Sequence, residues 1–160
     1  MKKIVFIFMA IALASCGSSK VSKPQETRIA NKQIKGEWTL ASVTHNQTGK
    51  FDITLLNDTS KECFEGSQWK FVPNNNRGTY TITSSGCSVG ERYFVFVVQE
   101  VNKASGYYDF LLKPTNEKYQ SERNQGVRLQ LVYLSDTQMT WEQTAQVDGK
   151  PFVITMNFVK

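Results

Sequence analysis

From residue 36 to the C-terminus, apolar and polar positions alternate with a period of two, the pattern of strands with one buried face. Phe152, Ile154, Met156 and Phe158 fall on one face of the last run, with Val153, Thr155 and Asn157 opposite. Val127, Leu129, Leu131 and Tyr133 share a face in another run, as do Tyr108, Phe110 and Leu112 opposite Asp109. Tyr80 and Ile82 oppose Thr79, Thr81 and Thr83. Met139, Trp141, Ala145 and Val147 make a further face, interrupted by the polar Gln143. The run from Arg92 is apolar on both sides, Phe94, Phe96 and Val98 against Tyr93, Val95 and Val97. That predicts a strand covered from outside, with the segment 51–61 as its cover. In all, the pattern predicts eight strands: one opening at 38–42, then 68–72, 78–83, 92–101, 107–113, 127–134, 139–147 and 152–159. The less regular stretch 51–61 is read as holding a short helix around Leu55 and Leu56, between the first and second strands.

The turns agree with this division. Asp148-Gly149 between two alternating runs is a hairpin signal, because both central positions of a type I′ turn need φ > 0. Ser135-Asp136 and Asn76-Arg77-Gly78 are weaker versions of it. Strands joined in sequence by short turns imply an up-and-down antiparallel meander, and eight of them close into a barrel without exposed edges. On this all-β reading Trp38, Trp69, Tyr80, Tyr108, Trp141 and Met156 point inward and are the candidates for lining any cavity.

The N-terminal part follows another pattern. Lys2 and Lys3 precede an uncharged apolar run over 4–13, too short for the roughly 20 residues that span a bilayer as a helix. This is the arrangement of a signal peptide. Leu13-Ala14-Ser15-Cys16 resembles the lipobox of bacterial lipoproteins. The resemblance implies cleavage before Cys16, diacylglycerol in thioether linkage on its sulfur and a palmitate-type acylated amine, with the thiol as the nucleophile that takes the lipid. Several acyl chains on one residue make a stable anchor, each buried CH₂ adding about 0.8 kcal/mol. The organisation expected is a signal peptide over 1–15, the lipidated Cys16 with a flexible polar tether over 16–33, and a barrel domain over 34–160. Gly17, rather than Asp, after the cysteine implies by the same resemblance delivery to the outer membrane, and the periplasmic face is the expected side.

Charge then narrows the partners. The chain's formal +5 is +6 on its first 35 residues and −1 on 36–160, which holds 12 basic and 13 acidic side chains. A near-neutral domain lacks the basic stripe that phosphate neutralisation requires, so nucleic acid is not an expected partner. The basic tether instead lies where anionic head groups are. With Cys16 lipidated, Cys63 and Cys87 remain as an even pair in an oxidising compartment, where a disulfide is the default. Two free thiols or a metal site is the alternative.

Gly36-Glu37-Trp38 looks like the Gly-x-Trp that opens the first strand of lipocalins. The stretch from Cys63 through Gly66-Ser67-Gln68-Trp69-Lys70-Phe71 and Asn75-Asn76-Arg77-Gly78-Thr79-Tyr80 to Cys87 is similar to one that marks lipocalin-like domains of bacterial lipoproteins. The resemblance covers about residues 34–160. It implies a barrel closed at one end by Trp38, and a small hydrophobic molecule bound in the barrel or at its mouth. Two departures stand out: the Thr-Asp-Tyr motif is absent, and no Arg in the last strand packs over Trp38, Arg128 falling too early.

Catalytic signals are thin. Gly86-Cys87-Ser88-Val89-Gly90 matches the G-x-S-x-G of a hydrolase elbow, but that motif needs a helix after the serine and here a strand is predicted. His45, the chain's one histidine, precedes the serine and sits in the polar His45-Asn46-Gln47-Thr48-Gly49, where it reads as a solvated loop residue without metal ligands at suitable spacing. Glu62 and Glu65 read as a solvated face. No enzyme activity, metal or cofactor is expected. Two functions stay open: a carrier of a small hydrophobic ligand, and a structural or interaction lipoprotein whose barrel is filled by side chains, as an eight-stranded barrel permits.

Overall fold

The computed structural model describes residues 25–102, 104, 106–121 and 123–160; the expectations for the signal peptide and Cys16 lie outside them. A helix α1 (Gln25–Ile34) leads into β1 (Gly36–His45). A small ribbon of β2 (Thr54–Leu55) and β3 (Thr59–Ser60) follows, then the one-turn helix α2 (Lys61–Phe64). After it come β4 (Gln68–Val72), β5 (Arg77–Ile82), β6 (Gly90–Asn102), β7 (Tyr107–Thr115), β8 (Val127–Leu134), β9 (Gln138–Val147) and β10 (Lys150–Val159). β1 pairs with both β4 and β10, and every other neighbour in the order β4 to β10 is antiparallel, so the sheet closes into an eight-stranded up-and-down barrel. The expected architecture is present, and β4 and β8 span the residues the alternation predicted. Asp148 and Gly149 have φ of 50° and 73°, as the type I′ hairpin requires.

Three bulges set the faces. Register shifts fall between Leu40 and Ser42, between Val98 and Glu100, and between Leu131 and Tyr133. Each extra residue reverses the alternation beyond it. Tyr133, expected inward, is therefore 52% exposed, while Leu134 packs against the core. Ala145 and Val147, also expected inward, are exposed for another reason. The pairing of β9 with β8 stops at Glu142, whereas its pairing with β10 runs on to Val147, so this hairpin overhangs the barrel.

Three further expectations are corrected. The segment 51–61 does not cover β6 from outside: Val97 is 41% exposed. Its apolar residues Ile53, Leu55 and Leu56 instead fold over one end of the barrel and join the core. The short helix falls later than Leu55 and Leu56, at Lys61–Phe64, and Leu55 lies in β2. The polar stretch read as part of the tether ends in α1, whose Ala30 and Ile34 are buried at the helical spacing of four. That spacing carries a helix into contact with the barrel end where only the polar average had been read.

The barrel is filled. Trp69 stacks on Tyr80 with ring centroids 4.8 Å apart, and Trp141 lies against Phe71, Phe110 and Phe158 at 5.5, 5.4 and 5.5 Å. Gly78 makes this possible, since a Cβ there would sit 2.3 Å from the Phe94 ring and 2.7 Å from the Lys70 carbonyl.

Candidate functional site

The two ends of the barrel are closed differently. At the α1 end, Trp38 is 1% exposed and its Nε1–H donates to the carbonyl of Ile34 at 2.8 Å. Trp38 thus takes the end-closing place its motif implied. The other end, the mouth, carries the 46–67 connection and the loops 83–89 and 116–126. The connection is stitched to β1 opposite the first bulge. Leu40 donates to Ser67 O, Gly66 donates to Leu40 O, and Val43 N donates to Oε1 of Glu65 at 2.8 Å. Glu65 therefore braces the bulged strand instead of forming a merely solvated face. Glu62, by contrast, is exposed, and its carboxyl is held below the usual range by a backbone N–H and then by Ser60.

The disulfide expected between Cys63 and Cys87 is present, with Cα atoms 5.7 Å apart. It ties α2 to the 83–89 loop, so the segment folded across the mouth is fastened at its base. Its tip is fastened too. Leu56 and Asn57 turn through φ of 52° and 57°, an uncommon conformation for a leucine, and present Asp58 to the barrel rim. Asp58 Oδ2 accepts from the Tyr80 hydroxyl at 3.0 Å and from Arg92 Nε at 3.2 Å. Arg92 also donates to the carbonyls of Gly90 and Ser88, at 2.8 and 2.6 Å. Burial, and then the Asp58 carboxylate, push the Tyr80 hydroxyl well above the usual phenol range.

Beside this network lies a pocket of about 340 Å³. Its wall is apolar at Leu56, Tyr80, Tyr93 and Pro114, and polar at Asp58, Arg92, Asn116, Arg123 and Gln125. The far side is the loop 116–126, which is well tied down. Asn116 Oδ1 accepts from the backbone N–H of Lys118 and Gln120 at 3.0 Å, and Tyr119 meets Tyr93 edge-on under the Arg77 guanidinium. At the lip, Glu91 accepts from the Tyr93 hydroxyl at 2.8 Å and holds that phenol above its usual range.

The six inward candidates therefore divide. Trp69, Tyr80, Trp141 and Met156 are packed together in the core, Trp38 plugs the opposite end, and Tyr108 is half-buried beside the core. Of the six, Tyr80 borders the pocket. Arg92 was legible by phase, because it shares the inward face of Phe94 and Phe96 and a charge there needs a partner. Asp58 and Arg123 carried no such signal, since their place depends on how the two loops fold over the rim. His45 is not a solvated loop residue: it ends β1, stacks on Phe152 at 5.3 Å and meets Phe51 edge-on at 5.2 Å. Ser88 is exposed and is followed by β6, as its sequence predicted.

No family model and no curated protein matches the sequence. Among solved structures, the chain is similar to a crystal structure described as a lipocalin-like protein from Bacteroides uniformis ATCC 8492. The two share 8% identity and a TM-score of 0.48, over 80% of this chain and 98% of that one.

Proposed function

We propose that this protein is a membrane-anchored lipoprotein, held by the lipid on Cys16 at the periplasmic face of the outer membrane, whose barrel mouth binds a small, largely apolar molecule. The observation that carries the reading is the pocket of about 340 Å³ between the Leu56–Asp58 turn and the loop 116–126. Its size is at the low end of small-molecule sites, and its mixture of apolar wall and a few placed polar groups is the usual one. The packed interior moves the ligand from the centre of the barrel to its rim. Both walls are fastened, by the disulfide and Asp58 on one side and by Tyr119 on the other, so the pocket is formed before a ligand arrives. Binding then costs little ordering. The lipobox-like Leu13-Ala14-Ser15-Cys16 supports the anchor.

The experiment is native mass spectrometry of the protein purified from its own envelope. A small molecule should travel with the parent and be lost from Gln125→Trp, which fills the pocket from an exposed loop position. A parent that carries nothing, or a variant that keeps the same molecule, would overturn the proposal and favour the second reading, a structural lipoprotein with a filled barrel.

A further inference from the structure

Helix α1 lies across one end of the barrel. It approaches the Pro73–Asn75 turn, β6 and β8, and its own C-terminal end runs into β1, so it crosses the opening instead of following one wall. Its seat is fixed by phase. Ala30 and Ile34 are buried against the barrel. Lys32, two residues from each, falls on the opposite side of the helix and is exposed. Lys35 is exposed just beyond the helix end. The ion pairs of the described residues leave both ammonium groups unused. Asp136, in one groove with Lys32 and Lys160, opposes them, while Glu37 is paired with Lys70 at 3.6 Å. The strand ends beside the helix add apolar side chains. Tyr107 opens β7, Tyr133 lies next to the end of β8 and Val159 ends β10, and they are 37%, 52% and 38% exposed. The bulge between β8 and β9 is what turns Tyr133 outward. The mouth exposes Val89 and Val147, but no tyrosine among the described residues. Between Cys16 and β1 the sequence holds Lys20, Lys23, Arg28, Lys32 and Lys35 against Glu26 alone.

We infer that the α1 end is a membrane-docking face, which seats the domain on the anionic phospholipid head groups of the leaflet that carries its own anchor. The inference rests on the lipidation of Cys16. Residues 17–24 extend at most about 29 Å, so the anchor holds the α1 end within that distance of the bilayer. There Lys32 and Lys35 meet lipid phosphates, and Tyr107 and Tyr133 reach the interfacial level that amphipathic rings favour. A strand of ten residues such as β10, tilted as barrel strands are, spans about 25 Å along the axis. The mouth thus stands that far from the bilayer and opens away from it. A ligand reaches the pocket from the aqueous side, and the membrane surface itself does not touch the mouth.

The test uses the mature lipidated protein in vesicles, with one added cysteine carrying a fluorescent donor and an acceptor on the lipid head groups. Asn75→Cys places the donor in the exposed turn at the α1 end, and Thr48→Cys places it in the exposed connection at the mouth. In vesicles of phosphatidylcholine mixed with phosphatidylglycerol, transfer from Asn75→Cys should exceed that from Thr48→Cys by about twofold or more, given the axial separation. The difference should collapse in phosphatidylcholine alone, in high salt, and in the charge reversal Lys32→Glu with Lys35→Glu. Equal transfer from the two positions in the anionic vesicles, greater transfer from the mouth, or a difference that survives the charge reversal would overturn the docking face. Intact mass of the same preparations reports the lipid on Cys16. A chain without it would overturn the anchor and the docking together, whereas a lipidated chain with equal transfer overturns the docking alone.

Discussion

The ammonium of Lys160 lies 4.4 Å from the centre of the Trp38 ring, and the same Nζ donates to the carbonyl of Gln33 at 3.1 Å. One C-terminal cation thus covers the plug of the barrel and ties the end of α1 to the end of β10. It stands where the sequence offered no arginine. A cation–π contact at an exposed site contributes about 0.5–1 kcal/mol. Lys160→Ala should therefore lower stability by about that amount in denaturant unfolding. It should also raise hydrogen exchange at residues 30–36 more than elsewhere. Uniform exchange across the barrel would mean that Lys160 does not hold the helix.

Tyr80 gives a pH dependence with a definite sign. Burial and Asp58 raise its folded-state pKa above the unfolded value near 10. Its contribution is complete below pH 10. Above that, the unfolded chain loses the phenol proton while the folded chain keeps it, so stability falls with a slope approaching about 1.4 kcal/mol per pH unit. Comparing the parent with Tyr80→Phe in urea between pH 8 and 11 isolates this slope. Equal slopes would show that the hydroxyl is not held as described.

The disulfide spans 24 residues of sequence. Closing such a loop stabilises by about 3.5 kcal/mol in the chain-entropy account. Cys63→Ala with Cys87→Ala should lose a comparable amount. Limited proteolysis should then cut first within 51–67, because the mouth segment has lost its base. Thiol labelling of the unfolded, unreduced mature parent should find no free thiol.

Cys16 is tested by fractionation. Cys16→Ser should abolish maturation at residue 16 and release the protein from membranes on mild washing. A variant that still matures and sediments with membranes like the parent would remove the lipid anchor from the proposal.

Much of the barrel was legible in the sequence because alternation, turn chemistry and cysteine number are local or arithmetic signals. Trp141, Met156 and Phe158 face inward by period alone, and Asp148-Gly149 fixes its hairpin through the φ values both positions must adopt. Tyr133 shows where that logic stops. A bulge is a property of two paired strands, and the sequence of β8 does not say that its partner is one residue short. Whether the barrel is hollow or filled, where the Leu55 segment folds, and which side chains gather at the mouth are likewise tertiary matters. Asp58 and Arg92 are 34 residues apart and meet only because closure of the sheet and the disulfide bring the β2–β3 turn onto the rim. The sequence by itself determined the strands and their inward faces as far as the bulges; the paired and closed sheet decided the faces beyond them, as at Tyr133, and the loops folded over it decided which inward residues, Tyr80 among them, border the pocket.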